Sequence, residues 1–87
     1  MILASELAKE TIERIVREAI SSILPNLPAK AVSGNRSLKD QGADSVDRVE
    51  IILSIMNRVG VDEPMSNFSS ISTVDELVDY LCRARQV

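Results

Sequence analysis

The sequence predicts a small all-α protein, a four-helix bundle of three main helices with a long loop after the first and a short third helix or turn. Apolar residues make up 45% of the chain but aromatic residues only 2%, so the core must be aliphatic. Apolar side chains recur at helical spacing in three separate segments, and no segment requires a strand. A chain of 87 residues has room for one domain, so residues 1–87 are expected to form a single unit.

The first helix is predicted from about Ser5 to Ile23. Its apolar residues recur every three or four positions, and charged residues between them form a solvated face. The apolar positions are Ile12, Ile15, Val16, Ala19, Ile20, Ile23 and Leu24. Pro25 and Pro28 end this helix, and the stretch from Asn26 to Asp40, rich in Pro, Ser, Gly and Asn, predicts a long ordered loop. We expect Leu38 to anchor the loop to the core.

The second helix is predicted over the strongly apolar run Val46 to Val59. One stripe at helical spacing is assigned to the core, namely Val49, Ile52, Ile55 and Val59. A second stripe, well rotated from the first, is assigned to the surface, namely Val46, Glu50, Leu53 and Asn57. Gly60 suits the position just past the helix, and Pro64 confirms a stop soon after.

The last helix follows a short turn that carries Met65 and Phe68. It is expected to begin with the capping box Thr73-Val74-Asp75-Glu76, in which Thr and Glu side chains bind backbone N–H groups. It should end near Arg83 to Arg85, where cations complement the helix dipole.

Ser45 is the most informative residue, because Gly42-Ala43-Asp44-Ser45 lies where the polar loop turns into the second helix. A helix N-terminus exposes unpaired N–H groups and the positive end of the helix dipole, so a phosphodiester on Ser45 would suit this position. Gly42 supplies backbone freedom, Asp44 is a candidate N-cap and Asp47 falls in the first turn. Alternatively, Asp44 and Ser45 only cap the helix.

Composition argues against several classes of function. The net charge is −3 and no segment is dense in Lys or Arg, so nucleic acid is not an expected partner. With no histidine and one cysteine, the chain lacks the residues for Cys/His metal sites and catalytic triads, so we expect no enzyme. Cys82 is predicted to be a packed side chain in a reducing compartment. Met1 to Ala4 resembles neither a signal peptide nor a membrane span, and no heptad seam demands a partner, so a cytoplasmic monomer is expected.

Taken together, this order of features resembles an acyl carrier protein: long helix, long loop, Gly-x-Asp-Ser-aliphatic, second helix, Gly-Val-Asp-Glu-Pro, short turn and capped last helix. The resemblance implies that Ser45 receives 4′-phosphopantetheine from coenzyme A through a phosphopantetheinyl transferase. It also implies that the thiol of this arm holds acyl groups as thioesters after an acyl-loading enzyme has acted. Such a protein is a carrier, and other enzymes perform the chemistry.

In that family the second helix and its start form the face that partner enzymes bind. Carried over to this chain, the face contains Asp44, Val46, Asp47, Arg48, Glu50 and Leu53. Two alternatives stay open, namely ordinary solubility for the acids and core packing for the aliphatic residues. Arg48, Asn57 and Arg58 stand where fatty-acid carriers tend to be neutral or acidic, which favours a specialised carrier.

A narrower likeness concerns Ser37 to Arg48 and Pro64 to Phe68, which are similar to freestanding carriers of polyketide β-branching cassettes. It implies that the carrier donates acetyl, or a similar group, to a hydroxymethylglutaryl (HMG) synthase homologue. A general fatty-acid, aminoacyl or peptidyl carrier, serving other synthase components, is the alternative. From a different class, the chain could be an unmodified helical interaction module in which Ser45 is only a cap.

Overall fold

The computed structural model describes the backbone of residues 4–85 and the side chains of residues 9–84. Within that range the chain forms three α-helices, α1 (Ala4–Ile23), α2 (Ser45–Val59) and α3 (Val74–Arg85), and no strand. A 3-10 helix at Met65–Phe68 is the predicted short third helix, and a second one lies in the long loop at Ala29–Ala31. The predicted all-α fold class is confirmed.

The core is aliphatic and lies where α1 packs against α2 and α3. Its largest fully buried side chains are Ile12, Val16, Ile20, Ile51, Ile55, Val74 and Leu81. The two aromatic rings, Phe68 and Tyr80, meet edge to face with centroids 5.2 Å apart. Phe68 thereby attaches the short third helix to α3.

Side-chain hydrogen bonds hold the loop between α1 and α2 in one conformation. Leu38 and Val32 are buried in the core, which confirms the predicted anchor at Leu38. The Arg17 guanidinium donates to the backbone carbonyl of Val32. The Gln41 amide accepts from Ser33 N–H at 2.6 Å and donates to Ser33 O at 3.0 Å. This polar loop therefore delivers the chain to the start of α2 along a defined path.

The buried face of α2 differs from the prediction at one position. Ile52, Ile55 and Val59 are buried as expected, but Val49 is 44% exposed, and Ile51 and Met56 complete the core face instead. Successive side chains of an α-helix are about 100° apart, which places Val49 at the margin of this face. The assignment of Val49 to the core was wrong because α2 is rotated towards Ile51.

The end of α2 and the start of α3 have the predicted capping residues, with one change in a hydrogen-bond partner. Gly60 adopts φ 82°, and its N–H donates to Met56 O at 2.9 Å, ending α2. At the start of α3, Thr73 Oγ1 accepts from Glu76 N–H at 3.2 Å, as a capping box requires. The Glu76 carboxylate, however, accepts from Ser72 N–H at 2.8 Å, one residue earlier than the predicted partner.

Two further expectations concern membranes and the chain terminus. Over residues 4–85, none of the helices combines the length and apolar character needed to cross a bilayer. The expectation for residues 1–3 lies outside the described residues, as does the side chain of Arg85.

Candidate functional site

Ser45 is the first residue of α2, and the structure presents it at the surface on a fixed backbone. Gly42 adopts φ 110°, a conformation that residues with a Cβ rarely take, and so allows the sharp turn before the helix. Ala43 is buried beside this turn, and its N–H donates to Leu38 O at 3.0 Å. The loop anchor at Leu38 therefore also positions the serine.

Asp44, and not Ser45, caps α2. Asp44 Oδ1 accepts from Asp47 N–H at 2.8 Å, and Asp47 Oδ2 accepts from Asp44 N–H at 3.2 Å, which completes a reciprocal capping box. Among the hydrogen bonds of the described residues, none involves the Ser45 hydroxyl. The hydroxyl is therefore exposed and uncommitted, and the interpretation of Ser45 as a cap is not supported by its contacts.

The reciprocal role of Asp47 was not predicted. By sequence, Asp47 falls in the first turn and on the partner-binding face, although Asp44-Ser45-Val46-Asp47 also has the spacing of a capping box with Asp in place of Glu. A shorter acid at the fourth position still reaches back to the N–H of Asp44. The box makes the start of α2 rigid at the residues that flank Ser45.

The first turn of α2 offers donors to an anion. The backbone N–H groups of Ser45 and Val46 bind no other described residue, as expected for the first positions of a helix. They lie at the positive end of the helix dipole, and the two neighbouring carboxylates are engaged in the capping box. A phosphodiester on Ser45 Oγ therefore fits this site.

Exposed aliphatic residues follow Ser45 along one side of α2. Val46, Val49 and Leu53 are 64%, 44% and 50% exposed and are spaced by three and four residues. We call these three residues the α2 strip. The surface assignment of Val46 and Leu53 is confirmed, and Val49 joins them. Glu50 is exposed on the same helix, next to the strip.

Arg48 lies on a different side of α2 from the strip. It precedes Ile52 by four residues, so it occupies the first-turn position of the buried face, and it is half-buried there. It lines a cavity of about 260 Å³ between the long loop, α2 and the segment 68–73. Lys39 lines the same cavity from the loop. The sequence alone could not predict that Lys39 and Arg48 line the same cavity, because they come from different segments of the fold.

Cys82 is a free cysteine, half-buried beside the core. Burial raises the pKa of its thiol above the ordinary value of 9.0, the Lys9 ammonium opposes this rise, and the Asp79 carboxylate adds to it. The Lys9 ammonium and the Asp79 carboxylate form an ion pair at 3.4 Å. A thiol with a raised pKa is a poor nucleophile at neutral pH, which agrees with a packing role.

Comparison with known proteins gives two findings. A family model described as "Phosphopantetheine attachment site" matches residues 14–81. The protein "Acyl carrier protein 2, chloroplastic" of Hordeum vulgare is 32% identical over 73 residues, which cover 84% of this chain and 56% of that protein. The chain therefore spans little more than half the length of this relative.

Proposed function

The chain belongs to the phosphopantetheine-attachment family of acyl carriers, and on that premise we propose that Ser45 bears its 4′-phosphopantetheine arm. The observation that carries this proposal is the exposed Ser45 hydroxyl, which makes no hydrogen bond to the described residues at the start of α2. When attached, the arm supplies a terminal thiol on which acyl groups are held as thioesters. Proteins of this family are carriers and not catalysts.

Ser45 must be activated by another protein. A serine hydroxyl needs a base to take its proton when it attacks, and no described side chain is hydrogen-bonded to Ser45 Oγ. A phosphopantetheinyl transferase would supply that base and would bring coenzyme A as the donor. The chain's own contribution is to hold the hydroxyl in solvent and to place the N–H groups of Ser45 and Val46 beside the resulting phosphodiester.

The α2 strip and the acids beside it are proposed as the surface that partner enzymes bind. Three exposed aliphatic side chains in a row offer apolar area, and Asp44, Asp47 and Glu50 surround them with negative charge. Such a surface complements an apolar patch rimmed by Lys and Arg, and the charges act mainly on encounter rate and selectivity. The partners are the transferase, an acyl-loading enzyme and synthase components.

A finer proposal is that the chain donates acetyl, or a similar short acyl group, to an HMG-synthase-like enzyme of polyketide β-branching. It is supported by the motif Ala43 to Arg48 and by Pro64 to Phe68. The mixed charge of α2, where Arg48 and Arg58 accompany the acids, also favours a specialised carrier. A general fatty-acid, aminoacyl or peptidyl carrier is the alternative, and the acyl carrier relative from Hordeum vulgare supports the general role.

Intact mass tests the attachment. The purified protein is incubated with coenzyme A and a broad-specificity phosphopantetheinyl transferase, together with Ser45→Ala and the matched control Ser70→Ala. Ser70 is also exposed but lies between the short third helix and α3. We expect one phosphopantetheine on the parent and on Ser70→Ala and none on Ser45→Ala. No gain on folded parent protein would contradict the carrier role and favour an unmodified interaction module.

The finer role is tested separately. Acetylated protein is offered to an HMG-synthase homologue and, in parallel, to a fatty-acid condensing enzyme. Acetyl transfer to the synthase alone supports the β-branching donor, whereas transfer only in the fatty-acid reaction contradicts it. A single domain over residues 1–87, a cytoplasmic location and a monomeric state stay predictions, which size-exclusion chromatography and cell fractionation can check.

A further inference from the structure

Arg48 is a cation on a face of α2 whose other residues are apolar and buried. It continues the buried face of α2 formed by Ile52, Ile55 and Val59, one turn closer to the helix start. Its guanidinium makes no hydrogen bond or ion pair with any other described residue. Removing a charged group from water without a partner costs free energy, so an anion that pairs with a half-buried guanidinium is favoured there. The unpaired guanidinium of Arg48 is therefore available to bind an anion.

The cavity that Arg48 lines has the character of an anion site. Lys39 lines it from the long loop, also without an ion-pair partner among the described residues, and no Asp or Glu is among its lining residues. Ser72 and Thr73 add hydroxyl groups to the lining, whereas the Ser69 hydroxyl donates to Ser66 O at 2.8 Å. The inner wall is apolar, formed by Leu38, Ile52, Phe68, Ile71 and Leu77.

Ser45 lies on the side of α2 that faces this cavity. It precedes Ile52 by seven residues, close to two full turns, so the two residues project from α2 in nearly the same direction. Arg48 is three residues from Ser45, a spacing that brings Cβ atoms within about 5–6 Å on a helix. A group attached to Ser45 therefore leaves the helix beside the cationic rim of the cavity.

We infer that the cavity accepts an anionic group delivered by the arm, with Arg48 and Lys39 as its binding residues. The inference rests on the proposed attachment at Ser45. Two parts of the loaded protein have the required chemistry, the phosphodiester of the arm and a carboxylate at the end of a carried acyl group. Arg binds both with paired, charge-assisted hydrogen bonds. Arg48 would thus help to hold the arm or its cargo, and its main role would not be to bind partner enzymes.

The test compares four forms of the protein: unmodified, carrying the bare arm, carrying isovaleryl and carrying malonyl. Isovaleryl and malonyl have the same number and connectivity of non-hydrogen atoms, but only malonyl ends in a carboxylate. Loading is verified by intact mass, and the readout is the NMR shift of Arg48 Nε–H and of the backbone amides of residues 71–73. The variant is Arg48→Gln, and the matched control is Arg58→Gln, a cation on the same helix outside the cavity lining.

If the phosphodiester is the anion, Arg48 Nε–H shifts on attachment of the bare arm. If a carboxylate is the anion, the shift appears with malonyl and not with isovaleryl. In either case the amide shifts at residues 71–73 are lost in Arg48→Gln, kept in Arg58→Gln and reduced by high salt. If the shifts of Arg48 Nε–H and of the amides of residues 71–73 are the same in all four verified forms, the inference is overturned and the carrier role stays intact.

If no form can be loaded, the carrier role fails and the cavity is tested on the unmodified protein. Inorganic phosphate and malonate are then titrated into the parent and both variants. Saturable shifts at residues 71–73 that are absent in Arg48→Gln support an anion site. Shifts that are absent from the parent, or equal in all three proteins, overturn it.

Discussion

Replacing Asp44 should destabilise the protein, whereas replacing the adjacent Ser45 should not. Asp44→Ala removes the acceptor for Asp47 N–H, a hydrogen bond of 2.8 Å. Loss of an N-cap acceptor costs about 1 kcal/mol of stability, within a range of roughly 0.5–2. In a domain of this size, about 1 kcal/mol corresponds to a fall in Tm of about 4–8 °C.

Ser45→Ala removes a hydroxyl that makes no hydrogen bond to the described residues. Because Ala has a higher helix propensity than Ser, this substitution should be neutral or should stabilise the protein by up to about 0.5 kcal/mol. Urea unfolding followed by far-UV circular dichroism measures both values. Asp44→Asn is the matched control, since Asn caps helices as well as Asp does and should retain most of the stability.

A reversed result would contradict the assignment of Asp44 as the N-cap of α2. If Ser45→Ala lost about 1 kcal/mol and Asp44→Ala lost nothing, Ser45 would be the cap. The hydroxyl would then be engaged in the native state, and the argument that it is kept for modification would fail.

Three further predictions concern α2 and Cys82. In the unmodified protein, Arg48→Met should leave stability unchanged or raise it by up to about 1 kcal/mol, because it removes an unpaired half-buried charge. A loss of stability of more than about 1 kcal/mol in urea unfolding would show that the Arg48 guanidinium has a partner in the native state. Leu53→Ser should change stability by less than about 0.5 kcal/mol, since the side chain is half exposed. The same substitution should raise the KM of the transferase for this protein. An unchanged KM would exclude Leu53 from the docking surface. Burial raises the pKa of Cys82, so its thiol should react with iodoacetamide more slowly in the folded than in the urea-unfolded protein at pH 7.5. The reaction rate of the folded protein should keep rising with pH beyond 9. Faster reaction in the folded state would contradict the raised pKa.

The number, order and approximate bounds of the helices could be predicted from periodicity and punctuation. Pro25, Gly60 and Pro64 mark helix ends by backbone chemistry that depends little on tertiary context. The rotation of α2 was harder to predict, because apolar residues cover much of its circumference. Val49 and Ile51 are equally plausible core residues by sequence, and only packing against α1 decides between them.

The candidate site was predictable from the sequence only where local residues determine it. The position of Ser45 at a helix start follows from local sequence, and so does the role of Asp44 as N-cap. The cavity does not, since Lys39, Arg48 and Ile71 come from three segments that meet only in the folded chain. The partner-binding role that the family resemblance implies for Arg48 stays a prediction, and the structure adds that its side chain lines the cavity.

Peptide mapping of the modified protein locates the phosphopantetheine on the chain. Trypsin cleavage after Lys39 and Arg48 releases the peptide 40–48, in which Ser45 is the only hydroxyl-bearing residue. After incubation with coenzyme A and the transferase, we expect to find the mass of one phosphopantetheine on this peptide, with fragment ions that place it on Ser45. An adduct on any other peptide, or none on folded protein, would contradict the assignment of Ser45 as the attachment site.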